Sequence, residues 1–286
     1  MITGTRTLPV GVAEALAVAQ ETLEQAGVSN AAMEGKEMVA RALGLSPKSI
    51  EWERDRRWEP SAQLLLSSLL LRRCSGFPLA YLLGEWDFLD FTLTLTRDVL
   101  IPRPETEELF DLVRETGEAP RSVVDVGTGS GGLALAMARY WPEVRVTALD
   151  LSPAALAVAR WNARRYGLEA KIEFRRSDLL EGIADTPVDR IVANLPYIPT
   201  PDLEDLSPEV RKEPRLALDG GPDGLTLIRR LVPQSVRALR PGGRLYLEVG
   251  IGQAAVVARL LSGTGFSNVA IFQDFAGKDR FVRGER

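Results

Sequence analysis

Apolar residues recur at helical spacing over the first third of the chain and gather into short β-rich runs over the rest. Val12, Leu16, Ala19, Leu23 and Ala26 share one helical face, and Gly27 closes the pattern as a C-cap. A second helix is predicted from Ala31 to Leu43, with Gly44 after it and Gly35 weakening it. A third spans Ser61 to Cys74, with Arg72 and Arg73 in its last turn and Gly76 and Pro78 beyond. The charged stretch from Trp52 to Trp58 reads as a solvated link between helices. From Trp86 to Thr96 apolar residues alternate with threonine, which predicts a hairpin, and Pro104 opens a helix with Glu105, Glu107 and Glu108 at its start.

From Ser122 strands and helices alternate. Strands are predicted at Ser122–Val126, Val144–Leu149, Ile172–Arg176, Val188–Asn194 and Arg244–Val249, the pattern of a doubly wound parallel sheet. A helix near Gln253–Leu261 and two short strands, Asn268–Phe272 and Arg280–Arg283, complete it. The gap between those last strands is too short for a crossover, so the final strand should run antiparallel to its neighbour. The expected organisation is a helical domain over residues 1–85, a hairpin linker over 86–100 and an α/β domain over 101–286.

Composition narrows the chemistry. Histidine is absent and Cys74 is the only cysteine, which excludes disulfides, Cys/His zinc sites, Ser-His-Asp triads and histidine acid–base catalysis. A net charge of -4 provides no field that favours nucleic acid or an anionic membrane. The longest apolar run, Leu64–Leu71, is broken by Ser67 and Ser68, and the first twenty residues lack a signal-peptide pattern, so neither a membrane span nor a leader is expected.

The first predicted strand leads into Asp125-Val126-Gly127-Thr128-Gly129-Ser130-Gly131-Gly132 and then an apolar helix, a turn whose glycines admit a ligand against the backbone. Gly127, Gly129 and Gly132 also satisfy the dinucleotide G-x-G-x-x-G, so glycines alone leave NAD open. Asp125 with Gly127, Gly129 and Gly131 resembles the acidic-x-G-x-G-x-G loop of S-adenosylmethionine-dependent methyltransferases, in which the acid holds the ammonium of the methionine portion. Asp150 ends the second strand, where a carboxylate accepts ribose hydroxyls from either nucleotide. Asp178 and Leu179 follow the third, as acceptor and wall for an adenine or, for Asp178, as a helix N-cap.

The fourth strand ends in Asn194-Leu195-Pro196-Tyr197. The Asn194 side-chain oxygen and the Leu195 carbonyl are acceptors, Pro196 stiffens the turn and Tyr197 offers a ring, so together they can clamp a planar NH2 group. Such a clamp fits a carboxamide and a nucleobase amine equally well. Asn194 to Tyr197 are therefore the candidate catalytic and substrate-binding residues, and Asn194 borders the cofactor as well.

On these motifs the chain resembles the HemK/PrmC family, methyltransferases of the glutamine side-chain nitrogen in peptide chain release factors. The resemblance extends to Gly76–Tyr81 with Gly84, to Ile101–Leu109, to Glu213–Gly224 and to Gln273–Arg280. It implies a class I Rossmann-like fold with a seven-stranded sheet whose last strand is antiparallel, and a five-helix N-terminal domain that contacts the release factor. It implies S-adenosyl-L-methionine as cofactor, with Asp125, Gly127, Thr128, Gly129, Ser130, Gly131, Asp150, Asp178, Leu179 and Asn194 around it. Class I release factors are the implied partners of a monomer in the cytoplasm, with no direct nucleic acid, membrane or metal. The family's clamp is usually Asn-Pro-Pro-Tyr; Leu195 keeps the carbonyl and should leave a less rigid loop, and Ala80 stands where the family has Gln. Residues Glu213–Gly224 should shape the pocket mouth, with Asp223 capping the next helix. The competing readings are a nucleobase amino methyltransferase, a cofactor-binding protein that has lost activity, and an NAD oxidoreductase.

Overall fold

The computed structural model describes residues 11–53, 56–115, 117–181, 183 and 187–286. The start of the chain and residues 54 and 55 of the charged stretch lie outside them. The chain divides into two compact units, Met1–Gly84 with Pro208–Lys212, and Glu85–Ser207 with Glu213–Arg286.

The first unit holds α1 (Val12–Gln25), α2 (Ala31–Leu43), a 3-10 turn (Ile50–Glu53), α3 (Pro60–Cys74) and α4 (Leu79–Leu83). Its described residues thus contain four α-helices, and the fifth of the family's expected set is at most this 3-10 turn. Gly35 weakens helix propensity but permits packing: a Cβ there would stand 3.2 Å from the Gln20 nitrogen and 3.3 Å from the Ala19 Cβ of α1. Buried Arg73 donates from Nε and Nη2 to Glu34 at 2.5 and 3.0 Å. Its Nη1 also reaches Glu209 of the returning segment, at 2.8 Å.

The second unit opens with the antiparallel hairpin β1 (Glu85–Phe88) and β2 (Phe91–Thr94). It continues through α5 (Pro104–Glu115), β3 (Ser122–Val126), α6 (Gly132–Tyr140), β4 (Arg145–Asp150), α7 (Pro153–Arg165) and β5 (Ile172–Arg176). After β6 (Val188–Asn194) come α8 (Thr226–Ala238), β7 (Leu239–Glu248), α9 (Ala254–Gly263), β8 (Ser267–Gln273) and β9 (Asp279–Glu285). The hairpin is tied to this unit by Asn162 of α7, which accepts from the Thr94 N–H at 2.8 Å and donates to the Thr94 and Ser130 carbonyls at 3.1 and 2.9 Å.

Seven strands form one sheet in the order β5-β4-β3-β6-β7-β9-β8. The first five are parallel, and β9 is antiparallel to both β7 and β8, between which it lies. Strand β7 begins five residues earlier than the sequence pattern suggests, carrying Pro241-Gly242-Gly243 through a register shift opposite Val188–Arg190. The order reverses at β3, with β4 on one side and β6 on the other, so the carboxyl end of β3 is the topological switch point where ligands enter such sheets. Among the described residues no helix is long and apolar enough to cross a membrane.

Candidate active site

At the switch point the chain turns sharply, and the Gly127 and Thr128 N–H groups both donate to the Leu149 carbonyl at 2.9 Å. Gly127 has φ +77°, and a Cβ on it would stand 3.2 Å from Leu195 Cδ2, so the loop and the end of β6 come together only around glycine. Beside them is a cavity of about 360 Å³. Asp125, Gly127, Thr128, Gly129 and Ser130 line it from the loop, and Asp150 from the end of β4. Asp178 and Leu179 line it from the turn after β5, and Asn194, Leu195 and Pro196 from the end of β6. Of the residues expected at the site, Gly131 and Tyr197 are not part of this wall. Gly131 instead occupies the N-cap of α6 in the left-handed region.

Two carboxylates dominate the electrostatics. Asp125 is 1% exposed, and burial raises its pKa to about 7 against the hydrogen bonds from the Thr128 hydroxyl and the Ala134 N–H, with Asp150 adding to the rise. The Thr128 hydroxyl donates to Asp125 Oδ2 at 2.7 Å. Asp150 is raised as well, mainly by burial, although its oxygens accept from the Gly129 and Ser152 N–H groups at 3.0 and 2.9 Å. No described lysine or arginine forms an ion pair with either. Asp178 differs: its Oδ2 accepts from Arg230 at 2.7 Å, and the residues after it form a turn, so it does not cap a helix.

The clamp is held from behind. Asn194 Nδ2 donates to Thr106 Oγ1 at 2.8 Å, which leaves Asn194 Oδ1 with no donor among the described residues. Thr106 Oγ1 donates to Glu248 Oε2 at 2.8 Å, and the Tyr197 hydroxyl approaches Glu248 Oε1 at 3.4 Å. Tyr197 therefore braces Glu248, and its own pKa is pushed up to about 12 by burial and the nearby carboxylate. Leu195 is buried in the apolar cluster of β3, β6 and β7, where its side chain packs in place of the ring that the family's usual proline would bring.

The segment after the clamp folds back along it. Ile198 N–H donates to the Leu218 carbonyl at 3.1 Å and the Ile198 carbonyl accepts from Gly220 at 2.8 Å. This brings Pro214, Leu216 and Ala217 to the cavity, as expected for a pocket mouth. Asp223 accepts the Leu225 N–H at 3.2 Å and pairs with Arg229, while Leu225 itself occupies the N-cap of α8, a correction to the capping expected of Asp223. Buried Glu213 accepts from the Ile101 N–H at 3.0 Å and from Arg103 at 2.5 Å, locking the Ile101–Leu109 segment to the mouth. Thr106, Glu248 and Glu213 are the supporting residues that sequence reasoning missed. Thr106 and Glu213 lay inside segments already singled out, whereas Glu248 offered only an acid at the end of an apolar strand.

A reversing parallel sheet with an antiparallel seventh strand, a glycine cradle and an acid at the end of the next strand define a Rossmann-like S-adenosylmethionine-dependent methyltransferase. S-Adenosylmethionine, a cation at sulfur and at its amino group, fits a cavity whose buried Asp125 and half-buried Asp150 have no ion-pair partner among the described residues. Two family models match, "Methyltransferase domain" over residues 123–213 and "PrmC N-terminal domain" over residues 14–84. The release factor glutamine methyltransferase of Moorella thermoacetica is 40% identical over 270 residues, covering 93% of this chain and 95% of that protein. That of Geobacter sulfurreducens is 41% identical over 263 residues, covering 92% of each. The chain belongs to the release factor glutamine methyltransferase family. Among solved structures, a methyltransferase from Pyrococcus furiosus superposes with a TM-score of 0.55 at 17% identity, over 77% of this chain and 98% of that one. The hMettl16 catalytic domain, solved with an RNA hairpin, has the same score at 14% identity over 80% and 84%. These two likenesses concern the fold alone.

Proposed function

We propose that this chain transfers the methyl group of S-adenosylmethionine to the side-chain nitrogen, N5, of a glutamine in class I peptide chain release factors. The observation that carries this reading is the Asn194 amide, whose nitrogen is engaged by Thr106 and whose oxygen is left to accept at a cavity wall, next to the Leu195 carbonyl. In this reading Asp125 and its Thr128 partner hold the donor's ammonium, Asp150 accepts from the ribose hydroxyls, and Asp178 with Leu179 borders the adenine.

The donor supplies an electrophilic methyl group, which the amide nitrogen displaces in line from sulfur. A carboxamide nitrogen is a poor nucleophile because its lone pair is delocalised into the carbonyl. Asn194 Oδ1 and the Leu195 carbonyl accept its two N–H groups and thereby hold the nitrogen in line. As positive charge builds on that nitrogen these hydrogen bonds strengthen, so the clamp binds the transition state more tightly than the ground state. Leu195 is buried and lines the cavity with Pro196, so both acceptors sit on a packed turn at its wall. The N-methylated, protonated amide is a strong acid that gives its proton to solvent, so the absence of histidine is no obstacle. The helical unit serves to hold the release factor, and the enzyme acts in the cytoplasm as a monomer without direct contact to nucleic acid.

The test is Asn194→Ala. Single-turnover methylation of a purified release factor with tritiated donor should slow by roughly 10² to 10³, the scale of one lost transition-state hydrogen bond, while donor affinity falls far less. An unchanged rate overturns the acceptor role. Methylation of an adenine-containing oligonucleotide in place of the release factor overturns the substrate assignment.

A further inference from the structure

The acceptors of the clamp are not equivalent. The Leu195 carbonyl is fixed by the backbone, but a carboxamide can present either its oxygen or its nitrogen by a half-turn about its last bond. An Asn194 that presented Nδ2 would set donor against donor at the substrate amide. Thr106 is buried at the start of α5 and touches both Asn194 and Glu248. Its hydroxyl has one proton to donate. Glu248, buried at the end of β7, takes that proton on Oε2 while the Tyr197 hydroxyl approaches Oε1. With its proton committed, Thr106 can only accept from Asn194, and only Nδ2 can donate to it.

Building on the acceptor reading above, we infer that Thr106 and Glu248 are positioning residues that set the orientation of the Asn194 amide, so that Oδ1 and not Nδ2 is presented to the substrate nitrogen. Neither residue needs to touch the reacting atoms. The relay runs from β7 through α5 to β6, three elements that the sheet order and the Ile101–Leu109 segment bring together. The ionised form of Glu248 directs the relay, since a protonated carboxyl could donate to Thr106 and free its proton for Asn194 Oδ1. Burial has the largest influence and opposes the ionised form, raising the Glu248 pKa to about 7 with Glu105 adding to the rise, while the Thr106 hydroxyl, Arg280 of β9 and the Tyr197 hydroxyl favour it.

Thr106→Val keeps the shape of the side chain and removes the hydroxyl, so single-turnover methylation of the release factor should slow by about 10-fold to 100-fold with donor affinity within about threefold of wild type. Thr106→Ser should recover most of the rate. In the Asn194→Ala background Thr106→Val should cost nothing further, because its effect passes through Asn194. Glu248→Gln is isosteric and removes a buried charge, so it is expected to fold; its new amide can donate to Thr106, and its rate should fall about fivefold or more. Wild-type rates in both Thr106→Val and Glu248→Gln, beside a slow Asn194→Ala, overturn the relay and leave the acceptor reading standing. Additive losses in Thr106→Val with Asn194→Ala also overturn it. A wild-type rate in Asn194→Ala removes the acceptor reading and the relay with it.

Discussion

Both units bury carboxylates; Glu213 of the catalytic unit is paired with Arg103 much as Glu34 of the helical unit is with Arg73, but two other buried acids of the catalytic unit are treated in the opposite way. In the helical unit Glu34 meets Arg73 through two hydrogen bonds, and the guanidinium extends a third to Glu209; the Glu34 hydrogen bonds are the main cause that holds the Arg73 pKa above its ordinary value. In the catalytic unit Asp125 and Glu248 are as deeply buried, yet neither meets a cation in an ion pair, and burial lifts both to about 7. The first arrangement is complete without a ligand. In the second, Glu248 is engaged by the Thr106 and Tyr197 hydroxyls, whereas Asp125 is complete only when something outside the chain supplies positive charge or when the carboxyl keeps its proton. The difference separates charge that holds a fold from charge that serves a site.

The largest expected effect tests the helical half of that contrast. Arg73→Ala leaves Glu34 buried without its partner, which should lower stability by about 3 to 5 kcal/mol in denaturant titration, with donor affinity unchanged. Asp125→Asn removes a desolvated carboxylate that has no cation to lose, so it should leave stability equal or higher while weakening donor binding. Comparable destabilisation by the two substitutions would erase the distinction between the two kinds of buried charge.

A smaller effect is expected at the mouth of the glycine loop. Asp150→Ala removes both proposed ribose acceptors, and charge-assisted hydrogen bonds contribute about 1.5 to 3 kcal/mol, so donor affinity should fall roughly tenfold to a hundredfold by calorimetry. The loss includes some local loosening, because Asp150 also accepts from the Gly129 and Ser152 N–H groups that shape the loop. An unchanged affinity would return Asp150 to a purely structural part and leave Asp125 and Asp178 as the acids of the cofactor site.

The framework of the catalytic unit was readable because strands buried on both faces are written as short Val- and Ile-rich runs, and because glycines and acids at their ends mark the ligand edge. What was not readable depends on distance and direction. Thr106 reads as one more residue in an acidic helix start, and its role appears only when Glu248, 142 residues further on, is brought beside it. Asp178 offers a plausible adenine acceptor or N-cap, and Arg230, 52 residues away, decides how one of its oxygens is used. Tyr197 sits in the motif as a stacking ring, whereas its hydroxyl turns toward Glu248 and the ring lies outside the cavity wall. Leu195 lacks the ring of proline, and only the fold shows the cluster in which its side chain packs instead.

The finest separation of the two halves lies in pH. Asp125 and Glu248 have folded-state pKa values raised from 3.8 and 4.5 to about 7, so the unfolded chain gives up these protons first. Their contribution to stability is fully present below about pH 4 and is lost as pH rises through about 7, so these two groups alone favour the fold at pH 5.5 over pH 8. Donor binding has the opposite slope. A cationic ligand prefers ionised Asp125, so affinity should rise about tenfold between pH 5.5 and 7, below the ordinary range of an α-amino group, and nearly one proton should leave the protein on binding at pH 5.5, falling to about half a proton at pH 7. Asp150 pushes against that ionisation, while the Thr128 hydroxyl and the Ala134 N–H assist it. Calorimetry in two buffers of different ionisation heat measures the released proton, and Asp125→Asn should abolish it. A flat affinity profile with no proton release would show that Asp125 does not change its protonation when the donor binds, and would overturn the titrating role given to it here.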